Sequence, residues 1–547
     1  MHYLFHKRIL SLLLITTSAS CAVLCNKKDN GSDPPPSDKC MYLGVDTCKQ
    51  SNKTTITLDI NSEQQTIHSF GASDCWTTKF FGKWADMQKR NQIADLLFSM
   101  DTTADGAPKG IGLSLWRFNI GGGSYEQGDT SGITTDWRRE ESFMNADGSY
   151  NWSKQSGQQW FLQAAKQRGV KYTLGFSLTP PVFMTKNGKA FNGTTGTTLN
   201  IQDGKMDAYA TYLADVTKHF QFDYLSPVNE PQWSWGSGTS ASQEGTQANN
   251  NEIASLVKLI GPKLSGTSYK VVVGEAGQLN FLYTNNTDGR GDQINQFFSS
   301  SSSNYIGNTT NVEHAISGHS YFTTCPDDNM ITIRQQLAGK INQVDPSLQY
   351  WQSEFGILNN ICNTWNGSPR STNIDYGLYV ARVLHHDLAI GNAASWQWWL
   401  AVSPYNYSDA LVYINDPAGN INVDGCKQDG IVLDSKQLWC FGNYARFIRP
   451  GMKRIALTVQ GITDPVIAAS SLMVSAYKDA TNKKIVVVLI NPKTDDRIIQ
   501  LSGLTITGNV MNSYTTDGTY NLKKSVVSTN NVRIPAKSVV TLTGSYQ

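Results

Sequence analysis

With 547 residues the chain has room for one large domain and a smaller one. Its net charge of +2 and its 16% content of charged residues leave no electrostatic case for nucleic acid or an anionic surface as partner. Trp (14) and Tyr (23) are plentiful, so neutral, ring-bearing surfaces are expected in place of charged ones.

The chain opens with His6, Lys7 and Arg8 ahead of the apolar run Ile9-Leu10-Ser11-Leu12-Leu13-Leu14-Ile15 and then small residues, the pattern of an export signal over 1–21. The run is too short to span a bilayer as a mature helix. Ser18-Ala19-Ser20-Cys21 resembles a bacterial lipobox, in which a lipidated Cys21 would attach the protein to a membrane; ordinary signal cleavage is the alternative. The expected location is the cell surface or periplasm as a lipoprotein, otherwise secreted. Residues 22–53, with Pro34-Pro35-Pro36, read as a polar tether. Nine cysteines suit an oxidising compartment, and the close pairs Cys40/Cys48 and Cys426/Cys440, with Cys325/Cys362 across a longer loop, could form disulfides. Without a CxxC or a Cys/His cluster at zinc spacing, no metal and no cofactor is expected.

Residues 54–70 begin with the alternating run Thr54-Thr55-Ile56-Thr57-Leu58-Asp59-Ile60, a strand that could join a later β domain. Over 71–450 short apolar runs alternate with amphipathic ones. Strands are predicted at Phe70–Ser73, Gly112–Asn119, Lys171–Ser177, Tyr224–Asn229, Lys270–Glu275, Ala315–His319, Tyr350–Glu354 and Ala394–Trp398, with helices between them such as 157–166. Eight is the strand count of a (β/α)8 TIM barrel, an α/β fold. A doubly wound open sheet is the rival, but Gly121-Gly122-Gly123 fits its phosphate-binding turn poorly. From 451 to 547 the runs are short and β-rich, as in Lys484-Ile485-Val486-Val487-Val488-Leu489-Ile490, predicting a smaller all-β side domain, a β-sandwich.

Chemistry concentrates at predicted strand ends. Val228-Asn229-Glu230-Pro231 closes the fourth strand and Glu354 the seventh. A pair of carboxylates, one to protonate a leaving oxygen and one to attack or assist at the sugar carbon, is what glycoside hydrolysis needs. Pro231 stiffens the turn after Glu230, and Trp233 and Trp235 follow it. At the other strand ends stand Arg117 and Asn119, His319 and Tyr321, and Trp396 and Trp398. Glu275, ending the fifth strand, competes as a catalytic carboxylate, with a supporting partner, a sugar-binding group or an inert loop residue as its other readings. His314, His385 and His386 are read as structural or surface.

The motifs Ser69-Phe70-Gly71-Ala72-Ser73, Trp116-Arg117-Phe118-Asn119, Asn229-Glu230-Pro231, His319-Ser320-Tyr321, Ser353-Glu354-Phe355-Gly356 and Ser395-Trp396-Gln397-Trp398-Trp399 resemble glycoside hydrolase family 30, in that order. The resemblance runs from about residue 55 to the C-terminus and implies a retaining enzyme with Glu230 as acid/base and Glu354 as nucleophile. It implies that Asn229 binds the sugar 2-hydroxyl, that Arg117 and Tyr321 orient a catalytic carboxylate, and that Trp396 forms the sugar-stacking floor; Asn119, Trp398, Trp233 and Asp74 complete the expected substrate-binding set. Members acting on glucosyl units usually carry an Asp and an aromatic soon after this Arg, whereas here the run is Gly121-Gly122-Gly123-Ser124-Tyr125. That departure resembles the branch cleaving β-1,6-galactan, the side chains of arabinogalactans. An endo-β-1,6-galactanase is therefore the expectation, with β-1,6-glucanase, xylanase or exo-β-galactosidase as alternatives within the family and a non-catalytic surface glycan-binding protein outside it. The expected partner is a poly- or oligosaccharide and the expected state a monomer.

Overall fold

The computed structural model describes residues 41–42, 45–46, 53–193, 198–285, 288–359 and 364–547. The export signal, Cys21, most of the tether, Cys40, Cys48 and Cys362 lie outside the described residues. In a leading unit, Met1–Asn52, the dipeptides Met41–Tyr42 and Val45–Asp46 pair antiparallel. The second unit, Lys53–Gln547, holds all the rest.

After β1 (Thr54–Thr66), eight parallel strands form the barrel: β2 (Ser69–Ser73), β3 (Leu115–Ile120), β4 (Tyr172–Ser177), β5 (Tyr224–Ser226), β6 (Lys270–Ala276), β7 (Val312–His319), β8 (Gln349–Glu354) and β9 (Ala393–Ser403). Each pairs with the next, and β9 pairs with both β8 and β2, which closes the ring and rules out the open sheet. All eight predicted strands are present. β5 is shorter than the predicted Tyr224–Asn229, since Pro227 has no N–H to continue the ladder. Crossover helices pack outside; Ser156–Gln167 fills the predicted 157–166, and Asn250–Lys263 starts on a capping box in which Asn249 and Glu252 satisfy each other's backbone N–H groups. Past the barrel, β10 (Ala410–Asn415) pairs with β9, and β11 (Ile431–Leu433) with β10.

The side domain comprises β12 (Lys453–Val459), β13 (Met473–Asp479), β14 (Lys484–Asn491), β15 (Arg497–Ser502), β16 (Val510–Thr516), β17 (Lys523–Ser528), β18 (Val532–Ile534) and β19 (Ser538–Ser545). β1 pairs with β12 and β15, so the strand that precedes the barrel belongs to this sheet. The nine strands make one hydrogen-bonded sheet closing over an interior that includes Ile56, Leu58, Ile499 and Leu542. The unbroken apolar run in β14 is explained by its two faces. Ile485, Val487 and Leu489 enter this interior, while Val486, Val488 and Ile490 join the large core of the barrel.

The expected Cys426/Cys440 bridge is absent: both thiols are free and buried, as is Cys75. Cys426 sits in the turn Asp424–Cys426 with its Sγ against the carbonyls of Asn422 and Ile414, whereas Cys440 lies on the helix Lys436–Ala445 facing Gly377. Closeness in sequence put them on different elements. Cys325 is disulfide-bonded.

Candidate active site

Strand parity sorts β3. Leu115 packs in the barrel interior while Trp116, Phe118 and Ile120 lie under the helices, and Arg117, in step with Leu115, lies over the Phe176 ring at 3.7 Å. A guanidinium with no exposure needs carboxylate partners. Arg117 has two: Nη1 donates to Glu354 Oε2 at 2.5 Å and Nη2 to Glu275 Oε2 at 3.1 Å. Nη2 also donates to Asn229 Oδ1 at 2.8 Å. One side chain thus ties together the mouths of β3, β5, β6 and β8.

A second hub is His319, at the end of β7. Its Nδ1 lies 2.8 Å from Glu230 Oε1 and its Nε2 2.8 Å from Glu275 Oε2. Tyr321, two residues on, donates from its hydroxyl to Glu354 Oε1 at 3.1 Å, and Ser353 Oγ donates to Glu275 Oε2 at 2.9 Å. The family resemblance points to Arg117 and Tyr321, whereas sequence alone shows His319 only as a strand-end residue and leaves the role of Glu275 open.

Burial raises the Glu230 carboxyl above its ordinary range, against the pull of the His319 hydrogen bond. Burial would raise Glu275 too, but the Arg117 charge and the His319 hydrogen bond outweigh it and hold the group at about 2. For His319 burial opposes the charged form, yet the Glu354 charge and the hydrogen bonds to Glu230 and Glu275 push it up to about 10. At neutral pH, Glu275 is therefore a carboxylate and His319 an imidazolium. Ligand-type atoms of Glu230, His319 and Glu354 lie within 4.8 Å of one another, a spacing that fits a cation. In the imidazolium form His319 offers both ring N–H groups as donors, one toward Glu230 and one toward Glu275.

Asn229, Glu230, Trp233, Trp235, Gln243, Tyr321, Phe322, Glu354, Leu358 and Trp399 line a cleft of ≈330 Å³ at this mouth. Hollows of ≈530 and ≈620 Å³ border the side domain, but neither brings two carboxylates together. The cleft is walled by rings: Trp233 meets Phe322 edge-on at 5.9 Å, and Trp235 donates its indole N–H to the Glu230 carbonyl at 3.2 Å.

Four expected contact residues lie elsewhere. Trp396 and Trp398 have no exposure; they pack in the layer between barrel and helices, Trp396 donating to Asp387 and Trp398 to the Asp409 carbonyl, each at 2.8 Å. Trp399, on the face of β9 opposite Trp396 and Trp398, points into the cleft, where it meets Trp76 edge-on at 5.2 Å. Of the three tryptophans, Trp399 is the one that lines the cleft. Asp74 and Asn119 are also fully buried, and Asp74 Oδ1 accepts from the backbone N–H of Asn119 at 2.8 Å, which ties the end of β2 to β3. Burial pushes the Asp74 carboxyl well above its ordinary range.

The glycine run after β3 is packed from behind. A Cβ on Gly121 would fall 2.3 Å from the Glu141 carbonyl oxygen, and one on Gly122 would fall 2.4 Å from Thr179 Cγ2. Glu244, buried beside the cleft residue Gln243, accepts from the N–H of Gly122 at 2.9 Å, the N–H of Ser124 at 3.1 Å and the Ser124 hydroxyl at 2.5 Å. The loops after β3 and β5 are thereby joined.

Glutamates from two strands, facing one another across an aromatic cleft at the C-terminal mouth of a (β/α)8 barrel, supply what cleavage of a glycosidic bond requires. The protein is a glycoside hydrolase and its substrate a carbohydrate. More narrowly, the chain belongs to O-glycosyl hydrolase family 30, whose pattern it matches over residues 53–413. It is 26% identical over 461 residues to an endo-β-1,6-galactanase of Hypocrea rufa, covering 80% of this chain and 81% of that one. Among solved structures, a conserved exported protein from Bacteroides fragilis superposes with a TM-score of 0.84 at 32% identity, covering 89% of this chain and 100% of the other. The catalytic domain of a family 30 xylanase from Talaromyces cellulolyticus reaches 0.64 at 23% identity over 90% of this chain and 100% of the other, a likeness of fold.

Proposed function

We propose that the protein is a retaining endo-β-1,6-galactanase in which Glu354 attacks the anomeric carbon and Glu230 acts as acid, then base. The observation that carries the mechanism is the approach of the two glutamates, whose nearest ligand-type oxygens lie within 4.8 Å of each other. Retention uses carboxyl groups about 5–5.5 Å apart and inversion roughly 6.5–9.5 Å, and so close an approach of one oxygen to the other favours the shorter class. The chemical environments suit the roles. Glu230, raised by burial, holds a proton to give, and Glu354 is oriented through both oxygens by Arg117 and Tyr321.

In the first step the leaving oxygen takes the Glu230 proton as the glycosidic bond breaks and Glu354 bonds to the sugar. In the second, Glu230 removes a proton from water, whose oxygen attacks the same carbon and releases Glu354. Asn229, held by Arg117, lies in position to bind the sugar 2-hydroxyl.

The galactan reading is supported by the Hypocrea rufa relative and by the Gly121–Gly123 run, which presents no carboxylate where glucosyl-acting members carry one. Incubation with arabinogalactan stripped of arabinose should release β-1,6-galacto-oligosaccharides of mixed length, with the β-anomer formed first by NMR. Release of galactose alone would mark an exo-enzyme. Cleavage of xylan or β-1,6-glucan in preference would overturn the substrate, and a first-formed α-anomer would overturn the mechanism.

A further inference from the structure

We infer that Glu275 and His319 are positioning residues: Glu275 pins one nitrogen of His319 so that the other donates to Glu230 Oε1, leaving Oε2 as the oxygen of Glu230 that carries the transferable proton. The inference rests on the acid/base reading of Glu230.

Glu275 Oε2 sits within hydrogen-bond distance of Arg117 Nη2 (3.1 Å), Ser353 Oγ (2.9 Å) and His319 Nε2 (2.8 Å). Arginine can only donate. An oxygen already accepting from Arg117 and Ser353 is an acceptor for the imidazole as well, so Nε2 carries a hydrogen. Nδ1, 2.8 Å from Glu230 Oε1, then has two options. Bare, it would draw the Glu230 proton onto Oε1, the side facing away from the cleft. Protonated, it donates to Oε1 and confines any proton on Glu230 to Oε2. The two ionised carboxylates beside the ring, Glu275 (2.8 Å from Nε2) and Glu354 (3.6 Å from Nδ1), select the protonated form. Oε2 makes no hydrogen bond to a described residue, yet it is not among the sealed, unpartnered atoms; it is the oxygen left toward the cleft that Glu230 lines.

Charge bookkeeping points the same way. With Arg117 and His319 each at +1, Glu275 and Glu354 each at −1 and Glu230 protonated, the cluster is neutral before reaction. When Glu354 becomes an ester and Glu230 gives its proton to the leaving oxygen, one negative charge is removed and one created. The buried cluster stays neutral through the first half-reaction, which avoids the cost of an uncompensated charge out of water. Tyr321, whose hydroxyl is pushed well above its ordinary range by burial and by the Glu354 and Glu230 charges, remains a neutral donor throughout.

The test uses His319→Gln, which keeps a side-chain N–H without the positive charge, compared with Glu230→Ala. On the natural glycan, whose leaving group needs a proton, His319→Gln should lose about 10²-fold in kcat/KM, in the range of general acid catalysis. On the 2,4-dinitrophenyl glycoside of the same sugar the loss should stay within about 5-fold, since that leaving group needs no proton. Losing the imidazolium also removes a charge that lowers the Glu230 carboxyl, so the basic limb of the kcat/KM profile should move to higher pH by about 1 unit. Equal losses on both substrates with an unmoved limb would make His319 a packing residue and overturn the inference. If Glu230→Ala itself spares the natural glycan, the acid/base reading fails instead. A third readout does not depend on a variant of His319 folding well. In 15N-histidine-labelled wild type, both His319 nitrogens should be protonated at pH 7, and Glu275→Gln should lower the pH at which they titrate. A bare Nδ1 at pH 7 in wild type, or titration unchanged by Glu275→Gln, would overturn the proposal.

Discussion

The amide of Glu230 donates to the carbonyl of Glu275 at 2.8 Å, and both residues hold left-handed backbone conformations, with φ of 46° and 43°. A residue with a side chain in that region costs of order 1–3 kcal/mol and persists only when its surroundings over-determine it. Here the linked turn aims both carboxylates at one imidazole. The strain is located where acid/base chemistry is proposed, and it couples the loop after β5 to the end of β6 through the main chain.

The two glutamates facing the cleft should fail differently. Glu354→Gln is expected to abolish turnover of every glycoside, because no ester can form, while Glu230→Ala should retain measurable release of dinitrophenol, increased by added azide. Near-normal turnover by Glu354→Gln would remove it as the nucleophile.

The tryptophans of β9 separate function from stability. Trp399→Ala should lower kcat/KM by about 10-fold, mainly through KM, from lost stacking worth roughly 1–1.5 kcal/mol, with little change in melting temperature. Trp398→Ala removes a fully buried ring and should destabilise by about 3–5 kcal/mol. Thermal melts and kinetics on both variants decide the matter; the reverse pattern would restore Trp398 to the sugar site.

Substrate choice should be steep. A hydroxyl of the wrong epimer leaves a buried partner unpaired, at about 1–3 kcal/mol, so β-1,6-galacto-oligosaccharides should exceed their gluco counterparts by at least about 10-fold in kcat/KM. Equal rates would show that the glycine run after Arg117 does not set the preference.

Stability should decline with pH across the neutral range. Burial, reinforced by Glu244 and opposed by Lys79, pushes the Glu140 carboxyl from 4.5 up to about 8. Because the folded group keeps its proton while the unfolded one ionises, its contribution is full below about pH 4.5 and is lost as pH rises toward 8. Wild-type melting temperature should therefore fall from pH 5 to 8, and Glu140→Gln should flatten that slope, with about 1 °C for each kcal/mol involved in a chain of this size. A slope identical in the variant would sink the assignment.

The order of strands and the two glutamates were legible because hydrophobic rhythm and strand-end position are local properties of sequence. Trp396, Trp398 and Trp399 were not, since alternation along Trp396-Gln397-Trp398-Trp399 sets Trp399 against the other two but does not say which face meets the cleft. Asp74 and Asn119 end strands as substrate-binding residues do, but both are buried, and the Asp74 carboxyl accepts from the backbone N–H of Asn119. His319 and Glu275 were named as strand-end groups; what sequence could not supply was that both nitrogens of one ring meet carboxylates from two different strands. Cys426 and Cys440 show the converse error, in which nearness along the chain stood in for nearness in space.

The pairing of β1 with β12 and β15 has a temporal consequence. On the ribosome β1 emerges first, yet its neighbours follow about 390 residues later, a delay of roughly 20–80 s at ~5–20 residues per second. Throughout that interval the strand presents two unpaired edges, and the side domain cannot close before synthesis is nearly complete. A barrel excised at residues 71–450 would lack this strand altogether and would uncover the apolar faces that β13, β14 and β19 now shield. The last ninety or so residues are thus a latch fastened to the first strand, and truncating either end should release the other.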